Sequence, residues 1–213
     1  MKKLGLLCML TSIMISVNAQ NFEKIQLNKP DQKRGLTIME AFSKRQSVRE
    51  YSEKPLSLQD LSDLLWATIG INRPETSKRT APTAMNKQEI DVYVCFSDGA
   101  YLYDAKNHVL IPVAKGDFRP ILAMQQDFVN KAPICLVIVA DISKFDGDNK
   151  EQKMYSGAID AGIVSQNISL FCAGTNMATV PRGWMDKDGI AKALHLKESQ
   201  IPVLNHPVGY IGN

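Results

Sequence analysis

Apolar residues recur at helical spacing in two early segments. "TIMEAFSKRQS", residues 37–47, sets Ile38, Ala41 and Phe42 on one face and predicts a helix. "SLQDLSDLLWATIGI" predicts a second, with Ser57 as N-cap, Asp60 three residues on, and Leu58, Leu61, Leu64, Leu65 and Ile69 in one stripe. "NRPETSKRTAPTAMNKQ" then loses all periodicity, carries two prolines and predicts a long loop, a kind of connection often tied to function. "EIDVYVCFS" predicts a strand, "GAYLYDAKNHVLIPV" a hairpin turning near "AKNH", and "PILAMQQDFVNKA" a helix. "PICLVIVAD" is nearly continuous in apolar residues, which predicts a strand buried on both faces. "MYSGAIDAGIVSQNISLFCAG" is small or apolar nearly all round, so it predicts a helix covered on every side, by the core or by a partner subunit. "KDGIAKALHL" predicts a short helix and "PVLNHPVGYIG" a last strand. Helices and mostly sequential strands mix without a βαβ rhythm, so the fold class is α+β.

The first nineteen residues follow another rule. "MKK" is basic, "LGLLCMLTSIMISV" is apolar and "VNA" ends in small residues before Gln20. That order predicts a secretory signal peptide, and an exported protein, periplasmic or in the cell envelope. The alternative is a retained N-terminal anchor. Residues 20–35 then form a polar, extended arm, and 36–213 one domain.

Composition excludes several classes. The chain has 213 residues, 45% hydrophobic and 22% charged, enough for one sizeable core. Its formal charge of +3 falls to near +1 without Lys2 and Lys3, which gives no electrostatic case for nucleic acid or an acidic membrane surface. Past residue 19 no apolar run is long enough to span a bilayer. Cys95, Cys135 and Cys172 sit in apolar segments and predict buried thiols, not a disulfide framework. His108, His195 and His206 show no metal-ligand spacing.

Three polar candidates remain: "RQSVR" at residues 45–49, the loop around Asn86, and "VPRGW" at residues 180–184. Arg45 and Arg49 are four apart and share a face if the helix continues, with Ser47 between them. Two guanidiniums and a hydroxyl suit a phosphate. The competing reading is a basic helix terminus that complements the helix dipole. There is no G-x-G-x-x-G, no phosphate loop and no nucleophile elbow.

The order of these motifs resembles the nitroreductase-like flavoprotein family. "SKRQSVREYSEKPLS" is similar to its opening R-x-S-x-R-x-[FY] signature, and "RTAPTAMNKQ" to its P-S-x-x-N-x-Q loop. "LLWATIGINR", "YVCFSDGAYLYD", "GAIDAGIVSQNISLFCAGTNMATV" and "HPVGYIG" follow in family order, so the resemblance runs from about residue 36 to 212. It implies a central mixed or antiparallel sheet flanked by helices, an intertwined homodimer, and FMN at the subunit interface. Arg45 and Ser47, with Gln46 between them, match positions at the FMN phosphate and ribityl end. Arg49 matches a cation near flavin N1 and O2. Pro82, Thr83 and Asn86 match a loop that reaches the ring, and Arg182 and Gly183 a turn against it. Many relatives carry a further basic residue after the last strand. Lys44 is the candidate to replace it here. The implied activity is two-electron transfer through flavin to a nitroaromatic, quinone or similar small aromatic acceptor, with NAD(P)H as a possible donor. A reductive dehalogenase or an azole-forming dehydrogenase also fits the family. An exported flavin binder without turnover is the alternative class.

Overall fold

The computed structural model of the protein describes residues 22–212. The leader expected at residues 1–19 lies outside the described residues. Nine strands and six helices follow in chain order among them: β1 (Ile25–Gln26), α1 (Ile38–Lys44), α2 (Leu58–Ile69), β2 (Ile71–Arg73), β3 (Lys78–Arg79), β4 (Ile90–Cys95), β5 (Gly99–Asp104), β6 (Val109–Lys115), α3 (Arg119–Ala123), α4 (Phe128–Lys131), β7 (Ile134–Asp141), α5 (Lys150–Gly174), β8 (Met177–Thr179), α6 (Lys187–Ala193) and β9 (Gln200–Tyr210). Seven strands form one sheet in the order β1-β6-β5-β4-β7-β9-β8, and every pairing is antiparallel. The fold is α+β, and the antiparallel form of the expected sheet is the one present.

Strand β7 shows why the layers form. Its side chains alternate between faces, and both faces are dry. Leu136, Ile138 and Ala140 pack with Leu64 and Leu65 of α2 and with Ala161, Val164 and Ile168 of α5. Cys135, Val137 and Val139 pack the other way, with Leu122 of α3, Val129 of α4 and Ile190 of α6. A continuous apolar run thus becomes the middle of a helix–sheet–helix sandwich.

Helix α1 begins as the sequence predicts, with Thr37 and Glu40 in a reciprocal capping box. It stops earlier than the predicted residue 47. Arg45 is the C-cap and turns extended, φ −60° and ψ 117°. The reason is tertiary. The Val48 N–H donates to Thr179 O and the Ser52 N–H to Tyr210 O, so this stretch runs beside β8 and the end of β9. Val48 and Tyr51 pack with Ala178 and Ala132. Of the predicted apolar face only Ala41 is buried; Ile38 and Phe42 are 57% and 52% exposed.

Two further predictions are corrected. The helix expected over 120–132 breaks into α3 and α4 at Met124, whose φ of 50° no α-helix accepts. The long loop contains a small hairpin, β2 with β3. The arm is partly ordered by packing: β1 pairs with β6, Leu27 is buried, and Arg34 pairs with Asp60 and Asp63 at 2.6 and 2.7 Å.

Helix α5 divides its faces in an order the sequence did not reveal. Gly157, Ala161 and Ser165, which at a spacing of four suggest a twin-helix contact, face the chain's own sheet. A Cβ on Gly157 would stand 2.9 Å from the Ala140 Cβ, so glycine permits the close approach of α5 to β7. The open face carries Tyr155, Ala158, Ile159, Gly162 and Gln166. In the single chain this helix is covered on one side only.

Buried polar groups are satisfied locally. His206 is fully buried, and its two ring nitrogens meet the Ser165 hydroxyl at 2.8 Å and the Thr179 hydroxyl at 3.1 Å. Burial pushes its pKa down to about 3, so the ring is neutral and ties α5, β8 and β9 together. Cys95, Cys135 and Cys172 are buried, as predicted, and burial raises each thiol pKa.

Candidate functional site

The extended course of residues 45–49 changes what two arginines can do. One helical turn would bring them to about 6 Å, whereas four extended residues span up to ~13 Å. Arg45 and Gln46 line a cleft of about 390 Å³ with Lys44, Val48, Ser169, Ala173, Asn176 and Thr179. No carboxylate lines it. Arg49 lies in the adjoining cleft with Glu50, Lys131, Ile211 and Gly212, so this second cleft carries a carboxylate beside its two cations. Ser47 is exposed between them and lines neither. Among the described residues, Lys44, Arg45 and Arg49 enter no ion pair. The arrangement is therefore two separate cationic points along an extended stretch of chain, not one clamp suited to a single phosphate.

The loop at 82–88 is held at the other end of α5. Thr83 accepts the Gln88 N–H at 2.9 Å through its hydroxyl, and Asp160 of α5 accepts the Ala84 N–H at 2.7 Å. Met85, Asn86 and Gln88 all have φ of 50–54°, left-handed backbone that non-glycine residues adopt at a cost. Several anchors maintain this shape: the Lys144 ammonium on Gln88 O at 3.0 Å, the Lys87–Asp146 ion pair at 2.6 Å, and the two bonds above. Pro82, Asn86 and Met85 are exposed. Asp160 lies nine to thirteen helix residues from Ser169 and Ala173, or ~14–20 Å along the axis. The cleft lined by Arg45 contains none of the loop residues. One chain does not bring the two predicted groups together.

Arg182 turns into the protein. Its guanidinium is buried and donates to Gln126 Oε1, Leu122 O, Asn205 Oδ1 and Ala123 O at 2.8, 3.0, 2.6 and 3.3 Å. Four of its five N–H donors are committed inside the protein. Two of them close the Leu122 and Ala123 carbonyls at the end of α3, which a short helix otherwise leaves open. The turn therefore presents outward Gly183 and the 56% exposed Trp184. The faces of Phe128 are shared by Arg182 and Arg49, with guanidinium carbons 5.6 and 5.8 Å from the ring centre. This aromatic couples the exposed arginine to the buried one.

Against this geometry, the family pattern described as nitroreductase matches residues 42–210, most of the chain. The chain belongs to the nitroreductase family. It is 29% identical over 183 residues to a protein named as a candidate nitroreductase from Methanocaldococcus jannaschii, covering 82% of this chain and 91% of the relative. A crystal structure of a candidate nitroreductase from Ralstonia eutropha matches with a TM-score of 0.83 and 35% identity, over 90% of both chains. A candidate NADH oxidase from Clostridium acetobutylicum shares the fold, with a TM-score of 0.57, 23% identity, and coverage of 83% of this chain and 88% of that one. Membership makes oxidoreductase the class of this nitroreductase relative, with no helix among its described residues long and apolar enough to cross a membrane.

Sequence reading passed over some residues of this nitroreductase-fold site. Phe128 and Trp184 carry no motif that separates them from packing aromatics. Asp160 and Glu89 were legible in principle. Asp160 is the lone acid in the apolar run "GAIDAGIV", and Glu89 opens the strand "EIDVYV". Glu89 is 0% exposed, and neither carboxyl oxygen has a hydrogen-bond partner. Burial first, then the neighbouring Asp160 carboxyl, raises its pKa to about 7, against the opposing pull of Lys144.

Proposed function

We propose that the protein is an FMN-dependent oxidoreductase that works as an exported homodimer. The observation that carries this reading is the pair of arginines without ion pairs, separated along the extended 45–49 segment, with Arg45 in a cleft that no carboxylate lines. FMN has that distribution of need: a dianionic phosphate at one end and, in the reduced ring, negative charge at the N1–C2=O edge. Arg45, with Lys44 beside it, meets the phosphate by charge-assisted bonds. Arg49 stands where a guanidinium stabilises the ring anion. Bound flavin would supply two-electron chemistry between NAD(P)H, or another donor outside the cytoplasm, and a nitroaromatic, quinone or similar acceptor. The protein's part is to bind, orient and stabilise charge. That fits a site with no Ser-His-Asp or paired-acid constellation in its clefts.

The homodimer reading rests on two features. The loop of Pro82, Thr83 and Asn86 is remote from Arg45 within one chain, so a second copy's loop would complete the site. The open face of α5 and the exposed Ile38, Met39 and Phe42 of α1 are apolar surface that such a contact would cover. Export rests on the basic, apolar, small-residue order of residues 1–19.

The decisive experiment is spectroscopic. The purified protein, offered FMN, should quench flavin fluorescence and give a yellow complex that NAD(P)H bleaches and a quinone or nitroaromatic restores. Failure to bind flavin sinks the reading. Binding without turnover favours the non-catalytic flavin carrier.

A further inference from the structure

Glu89 stands out among the buried groups. It sits at the junction of the strained 83–88 loop and β4, without exposure and without a donor to either oxygen. Its neighbour is the Asp160 carboxyl, itself 3% exposed, whose Oδ2 accepts the Ala84 N–H. Two buried carboxyls side by side cannot both be ionised cheaply. With a proton on Glu89, that carboxyl donates to Asp160, whose Oδ2 accepts the loop amide of Ala84. Without the proton, the two carboxylates repel and Asp160 is pushed from Ala84.

We propose that Glu89 and Asp160 share one proton, and that this proton fastens the 83–88 loop in the shape that presents Thr83 and Asn86 to the cofactor. Glu89 is then a positioning residue. It acts through Asp160 and the loop backbone and does not touch the flavin. The assignment of that loop to flavin rests on the reading above; the shared proton does not.

The surrounding charges set the direction. From the turn after β7, Lys144 approaches and holds Gln88 O. From β3, Arg79 bonds Gln88 Oε1 and Ile90 O and feels the charge of Glu89 and Asp91. Asp141 receives only backbone contact, its N–H donating to Glu89 O at 2.9 Å, and its carboxylate is engaged by Ser143. Lys87 is paired with Asp146. The two cations favour the ionised acid, while burial and Asp160 disfavour it more strongly. The proton is therefore held at acidic pH and lost as pH rises through neutrality. The loop is fastened below that range and loosened above it.

The test compares wild type with Glu89→Gln and Asp160→Asn, reading FMN affinity by fluorescence quenching from about pH 6 to about pH 8.5. Either amide supplies a permanent N–H between the two side chains; Glu89→Gln removes the titrating group, and Asp160→Asn leaves Glu89 free to titrate but with no second carboxylate to repel. Wild-type affinity should weaken about tenfold or more across the range, since only the fastened fraction binds. Both variants should bind as wild type does at acidic pH, with flat profiles. The parallel readout needs no flavin: amide hydrogen exchange at Ala84, corrected for intrinsic rate, should lose protection over the same range in wild type and keep it in the variants. A step of equal size in Glu89→Gln, or no step in wild type, overturns the proposal. If no protein binds flavin yet the Ala84 step appears in wild type alone, the shared proton stands and the flavin assignment falls. If the Ala84 step is absent as well, both fall.

Discussion

Replacing Arg182 with alanine separates a structural role from a cofactor role. The guanidinium is 6% exposed and donates four hydrogen bonds, to Gln126, Leu122, Ala123 and Asn205. Gln126 is exposed and can turn to water. The carbonyls of Leu122 and Ala123 and the Asn205 Oδ1 are buried and cannot. Each buried acceptor left without its donor costs ~1–3 kcal/mol. Contact with the Phe128 face adds ~0.5–1 kcal/mol. Removing a buried cation also relieves its desolvation, so the terms do not simply add. The expected net loss is about 4 kcal/mol, and for a chain of this size each kcal/mol lowers Tm by ~2–4 °C. Thermal and urea unfolding of the variant should therefore show a fall on the order of 8–16 °C. Arg182→Lys should recover little, because one ammonium cannot reach the four acceptors of a planar fork. FMN affinity, measured well below the lowered Tm, should fall by less than about tenfold, or ~1.4 kcal/mol. A loss of stability under ~1 kcal/mol together with a hundredfold loss of flavin affinity would refute the reasoning. It would mean that the guanidinium leaves its internal partners and grips the ligand.

The remaining predictions follow the same division between site and scaffold. Arg45→Ala removes an exposed, unpaired cation, so Tm should hold while FMN affinity drops roughly ten- to a hundredfold, ~1.5–3 kcal/mol for a charge-assisted contact; unchanged affinity in a fluorescence titration counts against the phosphate assignment. Gly162→Glu places a carboxylate on the open face of α5, where a Cβ meets nothing within 4 Å, so the chain should still fold but elute as a monomer that has lost flavin. A flavin-loaded dimer of that variant by light scattering excludes this face from the interface. Mass spectrometry of the native protein should find an N-terminus near Gln20, and an intact Met1 on cytosolic material excludes processing at the leader.

Sequence alone determined what depends on neighbours a few residues away. The stripe of Leu61, Leu64, Leu65 and Ile69 with its Ser57 cap gives α2, because capping and amphipathic spacing are local. The unbroken apolar run of β7 announced a strand covered on both faces, and the sheet bears it out. Motif order carried the family, because each motif answers to a contact on one ligand or one turn. Tertiary structure decided what distant groups negotiate. Helix α1 ends at Lys44 because Val48 and Ser52 find backbone partners on Thr179 and Tyr210, more than a hundred residues away. That choice puts Arg45 and Arg49 in separate clefts. The small residues of α5 pack on its own sheet because Gly157 meets Ala140, and no period along the helix says which apolar face turns inward. Arg182 is held by carbonyls of α3 whose position depends on the break at Met124. Glu89 and Asp160, seventy-one positions apart in the chain, form a pair only because strand β4 and helix α5 lie in adjoining layers. A charge buried against another charge is a property of that packing, and spacing along a chain does not encode it.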